Sequence, residues 1–215
     1  MNAHLVYSIG RVGSSSVHAT LQAHGIKSYQ VHFLNPERIA MVERERQGSI
    51  PKHIMTSYEV KKLKPKTWKI ITGVRDPIAR TVSSMYENGK KITGKEIAHS
   101  MSFFTQELQP TFGIDIYCLP FDKQLGYSIY CYKNVHVLVY KMERLSDVMK
   151  PMLKDFLELD IKEQATRRVT TDLNYAFLQA KTKYDKSALD AVYTSKYVRH
   201  FYTDAEIEMF RMLWA

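Results

Sequence analysis

Short apolar runs alternate along the chain with segments in which apolar positions recur every three to four residues. The runs have the length of β-strands and lie at residues 5–9, 28–34, 68–74 and 136–141. The segments of helical spacing predict helices at residues 14–24, 36–48, 57–63, 77–87 and 146–159, and one after Thr203 or Asp204. Strands alternating with helices predict an α/β sandwich of three layers, with a mostly parallel central sheet and helices on both faces.

The length of the chain, 215 residues, suits one domain with a sizeable core and is too short for two ordinary domains. We therefore expect a single domain over residues 1–215, with a helical C-terminal segment from about residue 163 packed on it. No apolar run is long enough to cross a bilayer, and the N-terminus leads directly into a strand instead of a signal peptide. These features predict a cytoplasmic protein, or a soluble catalytic piece, without an integral membrane segment.

The net charge of +9 predicts an anionic partner, which could be a nucleotide, a nucleic acid, an acidic glycan or a membrane surface. The charge does not choose among them, because the basic residues are scattered. Cys118 and Cys131 belong to no metal-binding motif and could be buried thiols or a disulfide pair. No pair of histidines has metal-ligand spacing with supporting cysteines or acids. We predict no bound metal.

The first unusual feature is the turn between the first strand and the first helix, which contains Gly10, Arg11, Gly13 and the serines 14–16. A helix N-terminus offers unpaired N–H groups, and glycines before it let a phosphate approach the main chain. The common nucleotide loop G-x-x-x-x-G-K-[ST] uses a lysine and a magnesium-binding hydroxyl, and that lysine is absent here. An arginine without a metal ligand suits a donor whose transferred group carries little charge. A simple serine-rich helix cap is the alternative.

The second unusual turn follows the third strand, in the segment VRDPIARTVSSMYENG. Arg75 can hold a phosphate with two parallel hydrogen bonds, and Ser83, eight residues later, can offer a hydroxyl to the same oxygens. Arg80 is either a third contact or a helix partner of Asp76. In a mostly parallel sheet both turns lie at the carboxyl ends of strands, where ligands bind, so they suggest a nucleotide with phosphates on both sides of its ribose.

These two segments, RVGSSSV and VRDPIARTVSSMYE, resemble the nucleotide-binding elements of sulfotransferases that use 3′-phosphoadenosine 5′-phosphosulfate (PAPS). The serine-rich form is similar to the carbohydrate-modifying branch. VLVYKMERL resembles a later strand of that family, and YTSKYVRHFYTDAEIEMFRMLW is similar to the end of bacterial members linked to capsular polysaccharide synthesis. The resemblance implies a P-loop-like fold and transfer of a sulfuryl group from PAPS to a hydroxyl, expected to belong to a carbohydrate.

The resemblance also implies a set of donor-binding residues. The residues that would hold the 5′-phosphosulfate are Arg11, Gly13, Ser14, Ser15 and Ser16, and those that would hold the 3′-phosphate are Arg75 and Ser83. Three positions depart from the family pattern: Arg11 replaces a lysine, Ser16 an adenine-stacking tryptophan, and Met142 a tyrosine. Adenine must therefore be held differently, and we assign it to Lys196 and Arg199.

Transfer to a hydroxyl needs a base, and the negative charge that gathers on the leaving nucleotide needs a cation, for which Arg11 is the candidate. The position of the family's histidine relative to its 3′-phosphate arginine points to His53, which lies 22 residues before Arg75. His32 is the rival, and a carboxylate such as Glu59 or Glu87 is a further alternative.

Two other classes of function stay open. A kinase or nucleoside triphosphatase is disfavoured, because the loop lacks the lysine with its metal-binding Ser/Thr. A non-catalytic protein of polysaccharide synthesis could use the same loops to bind a nucleotide or a nucleic acid. The basic and aromatic residues of KYVRHFY are followed by an acidic amphipathic helix, which suits packing better than strand binding, so we expect no nucleic-acid partner. The acceptor would be met by the loops at residues 89–113 and 121–132, which carry no readable code.

Overall fold

The computed structural model describes residues 2–45, 52–89, 93–162, 164–165 and 173–215, without the side chains of Glu45, Lys52, His53 and Asn88. These residues form a mixed α/β fold around a five-stranded sheet. The strands are β1 (Asn2–Tyr7), β2 (Ser28–Val31), β3 (Thr67–Val74), β4 (Tyr127–Tyr132) and β5 (Val135–Lys141). Their order is β2-β1-β3-β5-β4, with β4 antiparallel to β5 and all other neighbours parallel.

Helices connect the parallel strands and make up most of the C-terminal third. They are α1 (Ser14–Ala23), α2 (Pro36–Glu45), α3 (Lys52–Lys61), α4 (Pro77–Asn88), α5 (Gly94–Met101), α6 (Gln109–Phe112), α7 (Leu145–Leu157), α8 (Leu173–Lys181), α9 (Lys186–Tyr193), α10 (Lys196–Phe201) and α11 (Asp204–Trp214). A π-helical turn, Phe104–Leu108, precedes α6. Within the described residues no helix is both long and apolar enough to cross a membrane.

The predicted mixed fold with a mostly parallel sheet is confirmed, and all four predicted strands are present. β4 is an additional strand, since its residues were expected to belong to an acceptor loop. β4 is the antiparallel edge strand, and its burial does not alternate regularly, with Ile129, Cys131 and Tyr132 all exposed. Both cysteines are exposed free thiols, so the expectation of buried thiols is wrong.

Alternate strand residues feed two separate hydrophobic clusters, as the period of two in a strand requires. Leu5, Tyr7 and Ile70 belong to one cluster, which also includes Tyr197 and Trp214 of the C-terminal helices. Val6, Ile71 and Leu138 belong to the other cluster, together with residues of α1 and α7. The sheet is therefore packed on both faces, while the carboxyl ends of its four parallel strands lie at one shared edge.

Side-chain caps fix the starts of the two helices that frame this edge. The Asp76 carboxylate accepts hydrogen bonds from the Ile78 and Ala79 amides at the start of α4, at 3.3 and 3.2 Å. Thr203 and Glu206 cap each other at the start of α11. The fully buried ammonium of Lys141, at the end of β5, reaches both Glu206 oxygens at 2.7 Å. The last helix is thereby attached to the end of a central strand.

Candidate anion site at the strand tips

The loop after β1 has an unusual backbone conformation. Gly10, Arg11 and Gly13 all have positive φ angles, of 85°, 63° and 77°. Gly13 caps α1 without a side chain, so the first N–H groups of the helix are left for other partners. The hydroxyls of Ser14 and Ser15 accept hydrogen bonds from the Gln30 amide at 3.2 and 3.1 Å. The start of α1 therefore has backbone N–H groups that could bind an anion.

The back of this loop is packed tightly against the β5–α7 junction. A Cβ atom on Gly13 would lie 2.3 Å from Leu145 Cδ2 and 2.7 Å from Met142 Sδ. Next to it, the buried Tyr140 hydroxyl donates a hydrogen bond to the Val12 carbonyl at 2.7 Å. A side chain at position 13 would have to displace Leu145 and Met142, and the Val12 carbonyl is held on the protein side of the loop.

Arg75 connects the two turns that the sequence singled out. Its Nη1 donates to the Arg11 carbonyl at 3.0 Å, and its Nη2 donates to the Tyr175 hydroxyl at 3.2 Å. The Tyr197 hydroxyl accepts from the Arg75 amide and donates to the Arg75 carbonyl, both at 3.1 Å. The guanidinium of Arg75 thus lies against the first loop, and its main chain is fixed by α10.

Arg80 is a buried cation with unmet hydrogen-bonding capacity. Arg80 is 7% exposed. Its Nη2 donates a hydrogen bond to the Ile9 carbonyl at 3.4 Å, and its Nε and Nη1 have no hydrogen-bond partner among the described residues. Burial lowers the pKa of Arg80, and the negative charge of Glu96 partly offsets this lowering. A buried guanidinium in a protein is usually paired with an anion. Arg80 therefore marks a place where an anion would be stabilised.

The alternative pairing of Arg80 with Asp76 is not formed. The Asp76 carboxylate, 1% exposed, already caps α4 and also accepts from the Tyr193 hydroxyl at 2.9 Å and the Trp214 indole at 2.7 Å. Asp76 therefore has a structural role, and Arg80 faces the first loop instead.

Arg11 contacts α4, the helix that contains Ser83. Arg11 forms an ion pair with Glu87 of that helix, and both side chains are about one quarter exposed. Ser83, two turns into α4, is partly buried, and its hydroxyl makes no hydrogen bond to the described part of the chain. Glu87, one of the candidate bases, is thus the anion that Arg11 holds in this structure.

His32 lies directly beside the first loop. Its Nδ1 is 2.6 Å from the Ser8 carbonyl, and its Cε1 is 3.6 Å from the place of a Cβ on Gly10. Since a carbonyl only accepts, Nδ1 carries the proton in the neutral ring, and Nε2 is the basic nitrogen. Burial chiefly lowers the pKa of His32, and the charges of Arg11 and Arg80 lower it further. A neutral imidazole at this place has the chemistry of a general base.

The other candidate bases are less well defined by the structure. His53 lies in the first turn of α3, and its side chain is outside the described residues. Glu59 is exposed on the same helix. His32 also lines a small cavity of about 10 Å³, together with Arg38, His99, Glu107 and apolar side chains that include Phe33 and Phe103. The Glu107 carboxylate is buried and accepts from the Tyr7 hydroxyl and from the amides of Leu34 and Asn35.

The adenine assignment is the part of the predicted site that the structure does not bring to the loops. Lys196 lies over the Tyr117 ring, 4.7 Å from its centroid, and Arg199 is exposed, with its carbonyl accepting from Lys123. The residue of α10 that does reach the site is Tyr197. Sequence reasoning missed Tyr197 and Tyr140, because a buried tyrosine in an apolar segment looks like any core residue.

Comparison with family models matches residues 76–203 to NKWYS, whose description reads "Putative capsular polysaccharide synthesis protein". The match covers more than half of the chain. The chain belongs to the NKWYS family. No curated protein and no solved structure matches it.

The region matched to NKWYS begins at Asp76 and ends at Thr203. It includes Arg80, Ser83 and Tyr197, while the loop after β1 and Arg75 lie outside it. The family description links the NKWYS chain to polysaccharide synthesis, in agreement with the resemblance of its C-terminal segment to capsular proteins. It says nothing about a sulfuryl donor.

In chemical terms, the strand tips of this NKWYS protein combine three arginines, a helix N-terminus and an imidazole. Arg11, Arg75 and Arg80 are connected through the main chain of one loop, at the Arg11 and Ile9 carbonyls. Three cations with one carboxylate among them can hold a polyanion. A neutral imidazole beside them can accept a proton from a hydroxyl.

Proposed function

We propose that this NKWYS protein is a sulfotransferase that moves a sulfuryl group from PAPS to a hydroxyl group of a polysaccharide or its precursor. The observation that carries the proposal is the contact between Arg75 and the Arg11 carbonyl. It joins the two turns that would bind phosphate by a direct hydrogen bond, so that one small molecule could contact both. The membership in a polysaccharide-synthesis family supports a glycan acceptor.

The donor would be held by the groups that the resemblance named, with one addition. Arg11, Gly13 and the serines 14–16 would bind the 5′-phosphosulfate at the start of α1, and Arg75 with Ser83 would bind the 3′-phosphate. The buried Arg80, whose Nε and Nη1 have no hydrogen-bond partner among the described residues, would supply a further charge to the same anion. On this proposal the donor would be bound as in a P-loop-like sandwich, with arginines in place of the lysine and the metal.

The reaction would be an in-line displacement at sulfur. The acceptor oxygen forms a bond to sulfur while the bond from sulfur to the bridging oxygen of the donor breaks, and that electron pair leaves with adenosine 3′,5′-bisphosphate. The acceptor proton passes to Nε2 of His32, which is the basic nitrogen because Nδ1 is bonded to the Ser8 carbonyl. Arg11 would stabilise the charge that gathers on the leaving oxygen. His53 stays a candidate for the same role.

Two measurements test this proposal. Isothermal titration calorimetry with adenosine 3′,5′-bisphosphate should show saturable binding that is lost in Arg11→Ala and Arg75→Ala. Arg144→Ala is the matched control, since Arg144 is an exposed arginine paired with Asp147. Transfer of ³⁵S from labelled PAPS to capsular oligosaccharides should depend on His32. Magnesium-dependent hydrolysis of ATP, or unchanged bisphosphate affinity in both arginine variants, would overturn the proposal.

A further inference from the structure

A second concavity lies on the same sheet face as Tyr7, between the ends of three helices and the start of β3. It has a volume of about 540 Å³, which is in the range of ligand pockets. Its walls come from the α2 start (Leu34 to Glu37), the α3 end (Val60 and Lys61), Trp68 of β3, and α6 (Pro110 to Phe112). We call this concavity the Trp68 groove.

The lining of the Trp68 groove combines aromatic surface with hydrogen-bonding groups. The rings of Trp68 and Phe112 meet edge to face with centroids 5.5 Å apart, which fixes the indole in place. The indole is only partly buried, and its N–H makes no hydrogen bond to the described residues. Asn35, Glu37 and Lys61 add polar groups, and Glu37 and Lys61 are exposed and of opposite charge.

This combination fits a sugar ring better than an apolar or a highly charged ligand. A sugar ring has an apolar face of C–H groups and a rim of hydroxyls that both donate and accept. A fixed indole offers a flat apolar surface for the first, and the exposed carboxylate and ammonium groups of Glu37 and Lys61 can bond the second. An apolar ligand would make no use of these two charged groups, and a polyanion would be repelled by the carboxylate of Glu37.

The groove is joined to the candidate base by a few residues of chain. His32 begins the segment that continues to Glu37, and a chain of five residues spans at most about 18 Å. Glu107 holds this segment, because one of its oxygens accepts from the amides of both Leu34 and Asn35. His32 therefore lies within about 18 Å of Glu37 on the wall of the groove, and Glu107 holds the segment between them.

We propose that the Trp68 groove binds a sugar residue of the acceptor chain a few units away from the hydroxyl that is modified. The groove thereby makes the protein selective for oligomers over single sugars. As a statement about the acceptor, this inference rests on the proposed function. Binding of a glycan in the groove can nevertheless be measured without donor.

The test is a glycan array of bacterial capsular oligosaccharides of two to eight units, probed with the full chain. Trp68→Ala should lose binding by about tenfold or more, as removal of a central aromatic contact does. Phe177→Ala, which removes an exposed aromatic on α8, outside the predicted acceptor loops, should bind as the original chain does. The paired change of Glu37→Gln with Lys61→Ala alters only exposed groups and should also weaken binding, so the result does not depend on how well Trp68→Ala folds.

Nuclear magnetic resonance then locates the bound glycan. The chain has two tryptophans, and Trp214 is buried with its indole N–H bonded to Asp76. Addition of the best array glycan should move the Trp68 indole signal and leave that of Trp214 in place. Absence of array binding overturns the inference. So does binding by Trp68→Ala and by the Glu37/Lys61 variant that is as strong as binding by the original chain. Bisphosphate binding by Trp68→Ala should be unchanged, so loss of glycan binding is distinguished from failure of the donor site.

Discussion

The Nη1 atom of Arg75 lies 3.0 Å from the carbonyl oxygen of Arg11, although the two residues are 64 positions apart in the chain. A guanidinium donates to this carbonyl with one nitrogen and keeps other N–H groups for a ligand. The contact therefore brings the exit of β3 to the exit of β1, and it sets the distance between the two proposed phosphate sites. Each variant below tests one part of this arrangement.

Arg80→Met should separate binding from stability. Loss of charge-assisted hydrogen bonds should weaken adenosine 3′,5′-bisphosphate binding by about 1.5–3 kcal/mol, or roughly 10- to 150-fold. The free energy of unfolding should be equal or higher, because a buried charge without a carboxylate partner is removed. Calorimetry and urea unfolding measure the two quantities. Arg144→Met, on the surface, should change neither, and a parallel loss of stability and affinity in Arg80→Met would assign Arg80 a structural role.

The acid limb of the pH–rate profile should report His32. Because burial and nearby arginines lower the pKa of His32 below its ordinary 6.5, kcat/KM should fall only as the pH drops below that value. His32→Gln should abolish this limb together with most of the turnover. His136→Gln, at the opposite end of the sheet on β5, is the control. An acid limb that persists in His32→Gln would transfer the role of base to another group, with His53 next in order.

His32 should also make the free energy of unfolding depend on pH. Between the lowered pKa and 6.5 the unfolded chain binds more protons than the folded chain, so the free energy of unfolding should rise with pH across that window. His32→Gln should flatten this rise. Urea unfolding at closely spaced pH values measures it, and an unchanged slope would mean that His32 is protonated alike in both states.

Glu87→Gln should distinguish a competitor for Arg11 from a catalytic base. If Glu87 only occupies Arg11 before the donor binds, the amide should tighten bisphosphate binding by up to about fivefold, the strength of an exposed ion pair, and turnover should persist. Loss of turnover with unchanged affinity would instead identify Glu87 as the base. Glu59→Gln, on the exposed side of α3, serves as the comparison.

Gly13→Ala and Gly25→Ala form a matched pair. Both glycines have φ above 70°, so each alanine costs about 1–2 kcal/mol of backbone strain. Only at position 13 does the new Cβ meet Leu145 and Met142, while at position 25 nothing lies within 4 Å. Gly13→Ala should therefore lose about 1–3 kcal/mol more than Gly25→Ala in thermal or urea unfolding, and it alone should lose bisphosphate binding. Equal losses would show that the β5–α7 junction yields to the methyl group.

Much of the framework was readable from local pattern. The strands β1, β3 and β5 are continuous apolar runs in the sequence. The start of α4 is predicted by Asp76 followed by Pro77, because a capping carboxylate before proline is a local signal of a helix N-terminus. The turns that contain Arg11 and Arg75 could also be predicted, because each directly follows one of these apolar runs. The structure adds that they touch, which depends on β1 and β3 being neighbours in the sheet.

What the sequence did not reveal depends on long-range packing. Nothing local separates Tyr197, which fixes the Arg75 main chain, from its helical neighbours Lys196 and Arg199, whose charges made them the more obvious choice. The edge strand β4 was missed because its exposed side lacks the usual alternation. Arg80 does not pair with Asp76, because that carboxylate accepts from Tyr193 and Trp214, which lie more than 100 residues away in the chain.

The hydrogen bond from Trp214 to Asp76 joins residues 138 positions apart. During synthesis, α4 and the first loop leave the ribosome long before the indole that completes the cap of α4. Contacts between such distant parts of the chain close slowly. The binding edge should therefore be the last region of the molecule to mature, and a nascent chain that stalls before α11 should expose it to chaperones and proteases.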